Sequence, residues 1–159
     1  MGSLAGAKAA IRQRLEERWS QTRITVPNEL PEAPWPPTKP NPDAPDFPKL
    51  APWVHLEIVT LRNEMRGAGM PGRQVWQADG FIYAHVFVPA GTGDEVANQY
   101  ADQIGEIFRA AVFYETGDGC YVRSWAPRTD EGGNATTDAD IGNWFRVTMS
   151  CPFQYFHRG

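Results

Sequence analysis

Apolar positions follow two different periods along this chain. Between Leu4 and Trp19 they recur every three or four residues (Leu4, Ala7, Ile11, Leu15, Trp19), which draws a single stripe along a helix. A helix is therefore predicted over 3–21, capped by Ser3, with Arg12, Arg14, Glu16, Glu17 and Arg18 turned to water. Such a helix is marginal alone, so its stripe is expected to dock on a sheet. The period then switches to two. In 53–61, Val54, Leu56, Ile58 and Thr60 alternate with Trp53, His55, Glu57, Val59 and Leu61, and the first set is expected to face the core. From about Val75 to Val88 the alternation is apolar on both sides, Phe81, Tyr83, His85 and Phe87 against Ile82, Ala84, Val86 and Val88. That marks a central strand covered on two faces, or on one face by a helix and on the other by another chain.

A second helix is predicted over 94–112, introduced by Pro89-Ala90-Gly91 and a capping-box spacing from Thr92 to Glu95. Its apolar side is Val96, Tyr100, Ile104, Ile107, Phe108 and Ala111, and its other side is acidic. Strands are expected from Cys120 to Pro127 and from Trp144 to about Cys151, with Pro152 breaking the last one or setting it at an edge. The glycine-rich segments 62–74 and 128–143 read as projecting loops.

Between Pro27 and Pro52 lie ten of the chain's fourteen prolines. Fixed φ and missing donors forbid helix or central strand there, so the segment is expected to be extended. It also carries Leu30, Trp35, Phe47 and Leu50. A loop wrapped on its own sheet and an arm lying on a neighbouring subunit both fit, and its length favours the arm. The element order (helix, arm, two strands, helix, two strands) gives one domain over 1–159 of α+β class: a mostly antiparallel sheet packed by an N-terminal helix and one crossover helix.

Composition narrows the function. At 159 residues the chain is long enough for a core without disulfide or metal staples. No apolar run approaches the ~18–20 residues of a membrane helix, and the charged N-terminus lacks a signal-peptide core, so a soluble chain with no membrane partner is expected. A net charge of −4 disfavours dedicated nucleic-acid binding but suits a surface that DNA only passes. Cys120 and Cys151 give no disulfide framework and suit a reducing compartment.

Candidate chemistry is sparse. No nucleophile elbow, phosphate loop or zinc-protease motif is present. His55, His85, Cys120 and Cys151 lack the paired spacing of metal ligands and read as buried or hydrogen-bonded groups. Asp94, Glu95, Asp102 and Glu106 read as a solvated helix face. The residues point away from an enzyme, and neither cofactor nor metal is expected.

The segment ADGFIYAHVFVPAGTGDEVANQYADQIGEIFR (78–109) resembles the strand–PAGTG–helix core of siphophage tail-terminator (tail-completion, minor tail) proteins, a family also found in gene transfer agents. An I-R-x-x-L-E pattern in the first helix, Val54-His55-Leu56 in the first strand and Trp144-Phe145-Arg146-Val147 in the last, followed by aromatic residues, fit the same pattern. The arm at 27–52 is longer and richer in proline than that pattern. The resemblance implies a structural virion protein, assembled in the host cytoplasm, with an α+β fold shared with tail-tube proteins and no catalytic residues. It further implies a homohexameric ring at the head-proximal end of the tail tube. Such a ring ends tube growth and joins the tail to the head connector or stopper, while genome DNA passes its pore.

On that reading Leu30, Trp35, Phe47, Leu50, Arg66, Met70, Arg73 and Arg128 are candidate interface residues. Two acidic rows are candidates for the pore: Asp94, Glu95, Asp102 and Glu106, or Asp130 and Glu131 with Asp138 and Asp140. A head-completion protein or a tail-tube subunit is the nearest alternative. A ligand-binding or hydrolytic domain with an aromatic cleft of Trp53, Trp76, Trp125 or Trp144 is the remote one.

Overall fold

The computed structural model describes residues 2–131 and 144–159. Helix α1 spans Leu4–Arg18 and helix α2 spans Glu95–Phe108. Three 15-residue strands dominate the sheet: β4 (Trp53–Gly67), β5 (Val75–Pro89) and β9 (Trp144–Arg158). Shorter strands complete it: β1 (Arg23–Thr25), β6 (Val112–Phe113), β7 (Tyr121–Ser124) and β8 (Arg128–Glu131). The order is β1-β4-β5-β9-β7-β6, with β8 also paired to β9; only β1 against β4 is parallel. Within the arm, β2 (Thr38–Lys39) and β3 (Lys49–Leu50) form a separate two-stranded hairpin. The fold is α+β, with a mostly antiparallel sheet and two helices.

Both helices lie on one face of that sheet. Ser3 caps α1 by accepting the Gly6 N–H at 2.9 Å, and the stripe Ala7, Ile11, Leu15 and Trp19 is buried as its period requires. Trp19 meets Tyr100 of α2 edge-on at 5.2 Å, and the Arg14 guanidinium donates to the Ile107 carbonyl at 2.9 Å, locking the helices side by side. Beneath them Val54, Leu56, Ile82, Ala84, Val86, Val147, Met149, Cys151, Phe153 and Tyr155 form the buried floor. Each large side chain removed from water there contributes about 1.5–3 kcal/mol. Gly80 is required where strands and core close up: a Cβ would strike the Val59 carbonyl oxygen and lie 2.8 Å from the Phe153 ring.

Several expected boundaries move. Strand β4 does not end at Leu61 but continues to Gly67 past an irregularity at 60–62, so only 68–74 remain as a hairpin tip. Arg62, Glu64 and Arg66 hide the strand from a hydrophobicity pattern because they stand exposed at the sheet's edge. Thr92 is not the cap of α2: its hydroxyl donates to the Pro89 carbonyl, Asp94 takes the cap position, and Gly91 and Gly93 turn the chain with φ of 82° and 84°. The helix ends at Phe108, short of 112, and its buried side is Ala97, Ala101, Ile104, Gly105 and Phe108, leaving Val96 exposed.

The strand expected over Cys120–Pro127 is the shorter β7, and the segment expected to be a loop from 128 opens with β8. Pro152 does not interrupt β9. Towards β7 and β8 it falls in the gap between the Ser124↔Phe153 and Arg128↔Ser150 pairs, where no ladder bond needs its missing N–H. Asp138, Asp140 and most of 128–143 lie outside the described residues.

Candidate subunit interface

The opposite face of the sheet has no covering layer among the described residues. Pairing across β4, β5 and β9 sets its rows: Trp53–Phe87–Arg146, His55–His85–Thr148, Glu57–Tyr83–Ser150 and Val59–Phe81–Pro152. These are the positions that alternate with the core, and most are only half-buried. Rings stack along them: Trp53 on Phe87 at 4.1 Å, Tyr83 on His85 at 6.0 Å and Phe81 on Tyr83 at 5.8 Å. Trp144 and the arm's Trp35 meet Trp53 edge-on at 5.9 and 4.9 Å, closing an aromatic cluster at one end. The Trp53 indole N–H is buried there without an acceptor among the described residues. At the other side Trp125 lies under the Arg123 guanidinium at 4.0 Å and donates to Gln154 at 3.2 Å.

A polar row crosses this surface. His85 Nε2–H donates to Glu57 Oε2 at 3.0 Å, which leaves Nδ1 to accept the Thr148 hydroxyl at 2.8 Å. His55 shares a 2.7 Å hydrogen bond with Thr25 of β1 and stacks 6.2 Å from His85. Partial burial, and next the neighbouring His85, push the His55 pKa below its usual range, while Glu57 opposes the shift. The outer edge of β4 is also open: β1 pairs only with residues 53–55, so beyond them the strand has no outer neighbour among the described residues. Arg62 is tied there to Asp79 at 2.9 Å.

The candidate interface residues fall in three places. Trp35 and Leu50 pack on their own chain, at the Trp53 cluster and in a cavity beside α2, whereas Leu30 (93% exposed) and Phe47 (75%) stand in solvent. Met70 and Arg73 lie in the exposed hairpin tip, and Arg66 below them donates to Gln77 at 3.0 Å. Arg128 opens β8, 3.4 Å from Asp130. Asp102 and Asp130, one from each acidic row, lie on opposite sides of the sheet. Asp102 on α2 accepts the Thr129 hydroxyl at 3.3 Å and Glu106 pairs with Arg109 at 2.8 Å, on the helix side. Asp94 and Glu95 are exposed at the start of α2. Asp130 pairs in register with Thr148, on the open side, and Glu131 with Val147.

Solved structures match this chain where sequences do not. One, a protein whose name states no function, superposes over 93% of this chain and 94% of its own, at a TM-score of 0.56 and 16% identity. The likeness is one of fold. No protein-family model matches the chain, and no match is found among curated proteins.

The remaining candidates are dispersed. Trp53 and Trp144 share one cluster, Trp125 lies at the far side of the open face, and Trp76 sits opposite His157 near the hairpin base, so the four line no common cleft. His55 and His85 meet, but Cys151 is buried against the Phe108 and Trp125 carbonyls and Cys120 lies beside Gly2. Burial pushes the Cys151 thiol up to about 11, so it stays protonated and inert. Among the described residues no three His, Cys, Asp or Glu side chains gather as a metal site, and no helix is long and apolar enough to cross a membrane. The open face itself was legible only as the second apolar set of β5; the contributions of Trp35 and Trp144 depend on register and on the path of the arm.

Proposed function

We propose that this chain is a tail terminator of a siphophage-type or gene-transfer-agent particle, working as a homohexameric ring between the tail tube and the head connector. The observation that carries the reading is the sheet face that no layer of the described residues covers. A chain of this size has buried one side of its sheet under two helices and left the other as stacked, half-buried aromatic rings, which is the surface of a subunit completed by its neighbours. The open edge of β4 and the exposed hairpin tip 68–73 add reach towards adjacent copies. The strand–PAGTG–helix resemblance supplies the identity of those neighbours. Termination is then steric: one face of the ring copies the docking surface of the tube and the other does not. DNA passes a pore of acidic subunits without adhering.

Purified particles test this reading. The chain is expected to co-purify with tail-tube and connector proteins, and particles from a null mutant should show overlong or headless tails. Loss of all tails would instead identify a tube subunit, and normal tails on unjoined heads a head-completion protein.

A further inference from the structure

Leu30 is a large apolar side chain held in water. It is 93% exposed, yet its segment is not loose. Arg12 donates to both carboxylate oxygens of Glu29, at 2.9 and 3.3 Å, and Arg23 donates to the carbonyls of Glu32 and Pro34. Pro27, Pro31 and Pro34 restrict the backbone around these ties. Two arginines thus fix the segment that holds an exposed leucine, the preorganised state of a group that inserts into a partner.

A matching recess lies elsewhere on the same chain. A cavity of about 360 Å³ opens between the arm hairpin β2–β3, the end of β5 and the first turn of α2, with Leu50, Pro52, Val88 and Val96 among its walls. Its rim carries Lys39 and Lys49, which face each other in register across the hairpin. Like charges directly opposite in a two-stranded pair destabilise it, and among the described residues neither lysine has a carboxylate partner. We infer that Leu30 of one copy enters this cavity in the next copy, with Glu32 meeting Lys39 and Lys49.

Charge favours Leu30 over the exposed methionine of the hairpin tip. Met70 lies between Arg66 and Arg73, which bring the sign that the lysines repel. Phe47 sits on the hairpin that builds the rim itself. Of the two glutamates flanking Leu30, Arg12 neutralises Glu29, whereas the Glu32 carboxylate forms no ion pair among the described residues and is the charge left to meet the lysines. Plug and socket are different patches, so each copy offers one of each, and the contact propagates head to tail until a ring closes. The inference rests on the ring reading above and gives that ring its joint.

Cross-linking tests it. Full-length Leu30→Cys and Val96→Cys chains are mixed and oxidised, both in concentrated solution and in purified particles; the native cysteines are buried. A disulfide-linked dimer is expected from the mixture and from neither variant alone. Particles or associated chains that contain both variants and form no such link overturn the docking and leave the terminator reading standing. Particles without the chain overturn the terminator reading, and the solution reaction then decides the docking alone. Lys39→Glu with Lys49→Glu should weaken association about tenfold or more, and Glu32→Lys in the neighbouring copy should restore it, a rescue that a folding defect would not show. Unchanged association in the lysine variant also overturns the docking.

Discussion

The two faces of one sheet are built from the same three strands and have opposite fates. On the helix side, Val86, Met149 and Ile82 are buried in one cluster with Ile11, Leu15, Ile104 and Phe108. On the other side, one residue along each strand, Phe87, Thr148 and Phe81 belong to a layer of rings and hydrogen-bonded polar groups that no described residue covers. The first face accounts for folding within a single copy. The second leaves half-buried rings at the surface, and it is on this difference that the proposed assembly with neighbouring copies rests.

Substitutions on the two sides should therefore separate stability from assembly. Phe108→Ala, in the sealed layer, is expected to cost about 3–5 kcal/mol in chemical denaturation of the isolated chain. Tyr83→Ser, on the open layer, should cost the isolated chain only ~1 kcal/mol while abolishing incorporation into particles. Equal losses of stability would erase the distinction between the faces. Gly80→Ala probes the seam between them, since its Cβ meets the Val59 carbonyl and the Phe153 ring; about 1–3 kcal/mol should be lost, read as a lower denaturation midpoint. Deleting 30–48 should leave the helix-covered core folded, as judged by circular dichroism, and weaken self-association in sedimentation.

The smallest expected effect is a pH dependence of stability. The folded-state pKa of His55 is depressed below its unfolded value of 6.5, chiefly by burial, and His157 is shifted the same way by burial. As pH falls below 6.5 the unfolded chain takes up protons first, so stability declines through that window and is complete above it. His55→Gln should flatten part of the decline, and a stability profile unchanged by the substitution would remove His55 from the account.

How much of this was legible in the sequence differs between the faces as well. Ala7, Ile11 and Leu15 announce α1 because a helix displays its buried stripe in local spacing, and Val54, Leu56, Ile82 and Ala84 announce the core strands for the same reason. β8 was hidden because Arg128–Glu131 is wholly polar and is made a strand by backbone pairing with β9. Pro152 misled because its tolerance depends on a gap between two distant strands. The opposite placement of Asp102 and Asp130 could not be read from charge, since it is decided by the side of the sheet from which each element approaches. Likewise the pairing of Trp35 with Trp53 needs the arm's path and not its composition.

Density for intact particles at the junction of head and tail would settle the matter most directly. The expected result is this chain repeated around a closed ring, aromatic sheet faces covered by neighbouring protein. A subunit found there singly, with Trp53, Phe87 and Tyr83 still facing solvent, or particles lacking the chain, would contradict it.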